Sequence, residues 1–301
     1  MEDVVKIPNV DRDERIGSAF NHLFQVIQHT DKYNVGNLFW DFSDTSFFHP
    51  FFLAPLVIYK QSCKRSIECT NKPSRVVGYL DLVHFDDPLS IKECDDFKAV
   101  LESYMSKTYI PVCRFDLCKS NIDDLQTILQ RVIKSQSKAD YRITTPLSHL
   151  LGELIDNINE HSYGKHGYIF SQYFKKENCI NLVIADDGIT IFGSYVRSGK
   201  YLDEINNNEV EALKLANEGK STKNLPGAEN RGYGISSSKK MLVDGLHGSF
   251  FMLSGGAFHR YDSNGASFIK LPDSINWNGT IILMKIPVNV PVDFDYSKYT
   301  K

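Results

Sequence analysis

The chain predicts an α/β protein, an α+β sandwich in which a smaller α/β domain (residues 1–136) precedes a larger one (residues 141–295). Three observations predict this. Short β-branched and aromatic runs alternate with segments of helical periodicity over the first 136 residues. A polar stretch, Ser135-Gln136-Ser137-Lys138-Ala139-Asp140, is the best linker candidate. Beyond it lies a long amphipathic segment, followed by two glycine-centred segments beside apolar runs.

Residues 4–10 read as a strand. Residues 12–29 read as a helix, because Ile16, Phe20, Leu23, Phe24 and Ile27 share one face. Residues 37–42 form a short buried strand, and residues 46–60 an aromatic-rich helix. Its cluster of Phe47, Phe48, Phe51 and Phe52 is assigned to the core. Residues 75–84, with Val76, Val77, Tyr79, Leu80 and Leu82, are predicted as a strand. A helix at 96–106, a strand at 109–116 and a helix at 122–135 complete the first domain. In residues 147–161, Leu147, Leu150, Leu151, Leu154, Ile155 and Ile158 recur at helical spacing and face a core. Residues 179–191 carry an apolar strand that ends on Asp186-Asp187-Gly188. Residues 210–217 are a helical run, and residues 230–241 place Gly232 and Gly234 just before another helix. No internal repeat or low-complexity tract occurs.

Composition excludes several classes. Lysine plus arginine number 34 and aspartate plus glutamate 37, a net charge of −3, so no basic field argues for nucleic acid. The acidic N-terminus has no apolar core of a signal peptide. The longest aromatic-apolar run, residues 47–59, contains two prolines and is too short to cross a bilayer. Six cysteines without a Cys-x-x-Cys pair read as free thiols in a reducing cytoplasm. The sequon Asn278-Gly279-Thr280 reads as coincidence without a secretory signal.

On the helix at 147–161, Glu153, Asn157 and Glu160 stack on the face opposite the apolar stripe. An amide oxygen can hold a hydrated magnesium ion, and a carboxylate one turn away can accept a proton from water or a hydroxyl. Asp186, at a strand end beside Gly188, can accept a hydrogen bond from an exocyclic amine. Gly232 and Gly234 let backbone N–H groups approach a phosphate at a helix N-terminus. Gly219-Lys220-Ser221-Thr222 imitates the tail of a P-loop, but Lys214 stands where that motif needs glycine and a helical run precedes it.

Glu-x-x-x-Asn on a helix, Asp-x-Gly after a strand and Gly-x-Gly opening a second helix together resemble the Bergerat ATP-binding fold. That superfamily unites type II topoisomerase, heat-shock chaperone, histidine-kinase and mismatch-repair ATPases. The resemblance covers residues 145–290 and implies a mixed sheet covered by helices. It implies that Glu153 is the general base, Asn157 the Mg²⁺ ligand and Asp186 the reader of the adenine amino group. Gly188 would leave room for the ring, and Gly232 and Gly234 would lie under the phosphates. Residues 277–287 look like the family's closing strand, with Thr280 supporting the adenine contact. Thr190 departs from the family, many of whose members have glycine there. The stretch 192–229, where the family's mobile lid lies, is long and polar; Lys220, Ser221, Thr222 and Lys223 could reach phosphates from it.

Glu160-His161-Ser162 looks more like stand-alone ATPases and anti-sigma kinases than topoisomerases. His149 is not read as a phosphoacceptor, since no helical hairpin carries it. Residues 38–50 faintly resemble the anti-sigma-factor-antagonist (STAS) fold, without a phosphorylation site that carries over. The resemblance implies an Mg²⁺-dependent ATPase, cytoplasmic, with a protein partner met through the N-terminal domain; a homodimer fits too. The alternatives are a serine/threonine kinase of the anti-sigma type and a non-catalytic ATP-sensing module.

Overall fold

A computed structural model describes residues 3–11, 16–33, 37–91, 97–117, 122–138, 141–222 and 233–299. The protein is mixed α/β, with a three-stranded parallel sheet and an eight-stranded sheet covered by helices. The chain divides into two compact units, Met1–Leu89 with Pro111–Cys113, and Ser90–Ile110 with Arg114–Lys301. The division therefore falls upstream of the one drawn from sequence. Among the described residues no helix is long and apolar enough to cross a membrane.

In the first unit, β1 (Asp3–Lys6), α1 (Ile16–Lys32), β2 (Leu38–Asp41), α2 (Pro50–Ser62), β3 (Ile67–Thr70) and α3 (Ser74–Leu82) follow in order. Both strand pairs are parallel, with Val5 opposite Trp40 and Trp40 opposite Cys69. Parallel pairing requires a crossover, and α1 and α2 supply one each. α1 buries Phe20, Leu23, Phe24 and Ile27, as its periodicity predicts. α2 buries every residue from Pro50 to Ile58, so it runs through the core rather than over it. Phe48, Phe51 and Phe52 are core residues, and Phe47 is half-buried. His49 caps α2: its Nδ1 accepts the Phe51 N–H at 3.2 Å, and Pro50 occupies the first turn, where its missing donor costs nothing. The predicted strand at 75–84 is instead α3. Only Val76 and Leu80 of this helix are fully buried, four residues apart, while Leu82 is 53% exposed, which is a helical pattern and not an alternating one.

Next come β4 (Leu89–Ser90), at whose Ser90 the second unit begins, α4 (Phe97–Glu102) and a 3-10 turn (Ser103–Ser106). There follow β5 (Tyr109–Asp116), α5 (Ile122–Ser137), α6 (Tyr141–His161), β6 (His166–Phe174) and β7 (Cys179–Asp186). Of the predicted linker, Ser135, Gln136 and Ser137 are the end of α5, while Ala139 and Asp140 lie outside the described residues. Gln136 Nε2 donates to the carbonyls of Tyr104 and Tyr109 at 2.8 and 2.7 Å, which fastens this end down. Then come α7 (Ile191–Ser198), α8 (Leu202–Ile205), α9 (Glu209–Asn217), α10 (Tyr233–Lys240) and a π-helical turn (Met241–Gly245). β8 (Ser249–Gly255), β9 (Ala257–Asp262), β10 (Gly265–Lys270), β11 (Trp277–Pro287) and a 3-10 turn (Tyr296–Tyr299) complete the chain.

The large sheet runs β10-β9-β8-β11-β7-β6-β5-β4, antiparallel from β10 through β6. β7 sits centrally and is buried at all eight positions. α6 packs on β6 and β7, with α5 and α10 beside it. The stretch 192–229, expected as a polar lid, is helical as far as Asn217. α7, α8 and α9 share a small core of Tyr195, Ile205 and Ala212, which explains their order. Cys63, Cys69, Cys113 and Cys179 are free thiols, while Cys94 and Cys118 lie outside the described residues.

Candidate functional site

A cleft of about 660 Å³ opens over the large sheet, within the usual size range for small-molecule sites. One wall is α6, which contributes His149, Glu153, Asn157 and His161. These four recur every fourth residue, so they form a single polar row. Leu154 and Ile158 bring an adjoining apolar row into the same cleft. Strand pairing builds the floor. Ile282 stands opposite Met252, with Thr280 two residues along β11, and these three line it.

Asp186, which ends β7, falls in register with Thr280 at the end of this floor. Its side chain is 2% exposed. Oδ1 accepts the Gly188 N–H at 2.9 Å and Oδ2 the Thr280 N–H at 3.2 Å. Burial pushes the carboxyl up to about 7, against the lowering pull of those two N–H groups, and the neighbouring Asp187 charge adds to the rise. Asp187 points its chemistry elsewhere. It accepts from the backbone N–H of Lys165 and His166 and meets His166 Nδ1 at 2.7 Å, which anchors the start of β6.

The hydroxyl beside Asp186 is also ordered. Ser254 Oγ donates to the Gly279 carbonyl at 3.0 Å and accepts the Ile191 N–H at 2.9 Å. Its one proton is thereby used, so in the 3.2 Å contact between Ser254 Oγ and Thr280 Oγ1 the threonine is the donor. Thr280 then turns only lone pairs to further partners. The end of the cleft thus presents two acceptors, suited to an amine. Thr190 fits where the resemblance to the Bergerat fold led us to expect glycine. Its backbone is extended (φ −69°), and its Oγ1 caps α7 by accepting the Gly193 N–H at 3.0 Å.

Two glycines allow this packing. Gly188 does not line the cleft; a Cβ there would collide with the Ser162 carbonyl, on which the loop after β7 rests. Gly279 has φ +77°, and a Cβ would meet the Asp186 backbone and carboxylate at a register shift in β11. Gly279→Ala is expected to cost about 2 kcal/mol of stability, combining left-handed backbone strain with that collision. Urea unfolding checks this, and an unchanged midpoint would refute the close approach.

Asn157 Nδ2 donates to the Glu153 carbonyl at 2.5 Å, so its Oδ1 is the end of the amide available to a cation. Among the described residues no group of three His, Cys, Asp or Glu side chains forms a protein-only metal cage. Mg²⁺ bound through one amide oxygen, waters and phosphate oxygens needs no such cage, so the residues present fit it. Glu153 is about one-third exposed, with Oε1 3.9 Å from His149 Nε2.

Thr222 is brought to the site: Oγ1 lies 2.9 Å from His161 Nδ1 and 3.1 Å from Ser194 Oγ. Tyr195 donates its hydroxyl to the Lys220 carbonyl at 2.6 Å, so residues 219–222 border the cleft on a fixed path. Gly234 lies in the first turn of α10, whose Ile235, Ser237 and Ser238 line the cleft. Gly232 and Lys223 lie outside the described residues.

Sequence reading did not single out Ser194, Tyr195, Ser254, Tyr296 or Tyr299. A serine closing the apolar run Phe250–Leu253 is the one signal that could have marked Ser254. Neither a family model, nor a curated protein, nor a solved structure matches this chain.

Proposed function

We propose that this chain binds ATP with Mg²⁺ in the cleft of its second unit, in the manner of the Bergerat-fold ATPases, and hydrolyses it. One observation carries the reading. A buried carboxylate, fixed by two backbone N–H groups, closes one end of a cleft whose wall bears Glu153 and Asn157 in a single row.

In this account Asp186 and Thr280 accept hydrogen bonds from the adenine amino group. The ring lies on Met252, Ile282 and Ile158, which exclude water. The first turn of α10, with Gly234, directs backbone N–H groups and the positive end of the helix at the phosphates. Mg²⁺, when bound, neutralises charge on the β- and γ-phosphate oxygens. Asn157 offers its Oδ1 toward that ion. Glu153 holds the attacking water and takes its proton as the water oxygen bonds to the γ-phosphorus and the bond to the ADP oxygen breaks.

The test is phosphate release from ATP in the presence and absence of Mg²⁺. Mg²⁺-dependent release supports the reading. Tight ATP binding without release in either condition would remove hydrolysis and leave a binding module.

A further inference from the structure

Residues 296–299 lie beyond the stretch that the sequence assigns to the ATP-binding domain, yet Tyr296 and Tyr299 line the cleft. Their placement has a local cause. Asp295 Oδ1 accepts from the Ser297 N–H at 3.0 Å and from its hydroxyl at 2.8 Å, which starts a 3-10 turn. In such a turn residues three apart eclipse one another. Tyr296 and Tyr299 therefore share one half-buried face, while Ser297 and Lys298 between them are exposed. The turn packs on α10 and on the π-helical turn behind it. Gly245 makes room there, since a Cβ at that position would meet Phe294 and Tyr299 at 2.9 and 3.0 Å. Burial raises both phenols, and the Asp244 and Asp293 carboxylates raise Tyr299 further, so both keep their protons at neutral pH and can donate.

We infer that this C-terminal turn is a wall of the nucleotide site, and that Tyr296 and Tyr299 are binding contacts for the nucleoside part of ATP. The inference rests on the ATP reading above. The nucleoside end follows from the direction of α10. Phosphates are assigned to its first turn, whereas Tyr299 sits against Gly245, at the opposite end of the α10 and π-helical segment, and Tyr296 shares its face of the turn. The apolar side chains Met241, Met252 and Ile282 line the same cleft and suit a base.

Two measurements test it. Calorimetry compares the full chain with Tyr296→Ala/Tyr299→Ala and with Tyr296→Phe/Tyr299→Phe. The alanine pair should weaken ATP and ADP equally, by about ten-fold or more, the size of aromatic stacking on a base. The phenylalanine pair should recover most of that loss. Hydrogen exchange on the unsubstituted chain guards against an alanine variant that misfolds: the peptide spanning residues 293–299 should exchange more slowly with Mg²⁺-ATP. If ATP binds but the alanine pair matches the parent and that peptide is unaffected, the turn is no part of the site and the ATP reading stands. A loss for ATP but not ADP would place the tyrosines at the phosphates and overturn the assignment. If the parent chain binds no ATP, both readings fall.

Discussion

Glu153→Gln is expected to lower phosphate release by about 10²- to 10⁴-fold and to leave ATP affinity within about two-fold of the parent. The magnitude is that of removing a positioned general base. The separation of the two effects follows from the geometry. Glu153 stands on the polar row of α6, one turn from Asn157 and with Oε1 3.9 Å from His149 Nε2, whereas the acceptors Asp186 and Thr280 belong to β7 and β11. Glutamine keeps the length and the hydrogen-bonding end but cannot take the proton. Phosphate-release kinetics beside calorimetry on the same sample check this. Undiminished release would mean that Glu153 is not the base. Loss of binding with the turnover number kept would move it to the ground-state contacts.

Asp186→Ala is expected to weaken ATP binding by about 10²-fold, the upper end of what one hydrogen bond to a charged group contributes. The same carboxylate shapes stability. Because its folded value is raised from 3.8 to about 7, its contribution is complete below about pH 4 and is lost as pH rises through 7. The sign is that of a buried acid which prefers to be neutral. The parent protein should therefore lose stability between pH 4 and pH 7 at this site. Asp186→Asn, which cannot ionise, should remove that slope. Urea midpoints across this range check it, and parallel curves for the two proteins would contradict the burial account.

Much of the site is legible in the residues. The stripe from Leu147 to Ile158 has the period of a helix, and α6 occupies it, starting six residues earlier at Tyr141. The apolar run that starts at Cys179 reads as a strand ending at Asp186, and β7 occupies it, buried at every position. Other features are not written locally. Val76-Val77-x-Tyr79-Leu80 suits either period; burial of Val76 and Leu80 by their neighbours decides for the helix. The role of Ser254 arises because Ile191 and Gly279, 63 and 25 residues away, converge on one hydroxyl. The stretch 192–217 looks polar because its core is only a few side chains deep, and Tyr195, Ile205 and Ala212 are widely spaced. A four-residue 3-10 turn has no sequence signature strong enough to place Tyr296 and Tyr299 on a cleft.

In the proposed complex the buried Asp186 and the half-buried Thr280 read an exocyclic amine on a purine. Calorimetry of the full chain with Mg²⁺, titrating ATP and then inosine triphosphate, tests it most directly, because inosine carries a carbonyl oxygen where adenine carries the amine. ATP should bind and inosine triphosphate should bind at least about 10²-fold more weakly, since its carbonyl oxygen would face two acceptors, one of them the buried Asp186. Equal affinity for the two nucleotides would contradict the account.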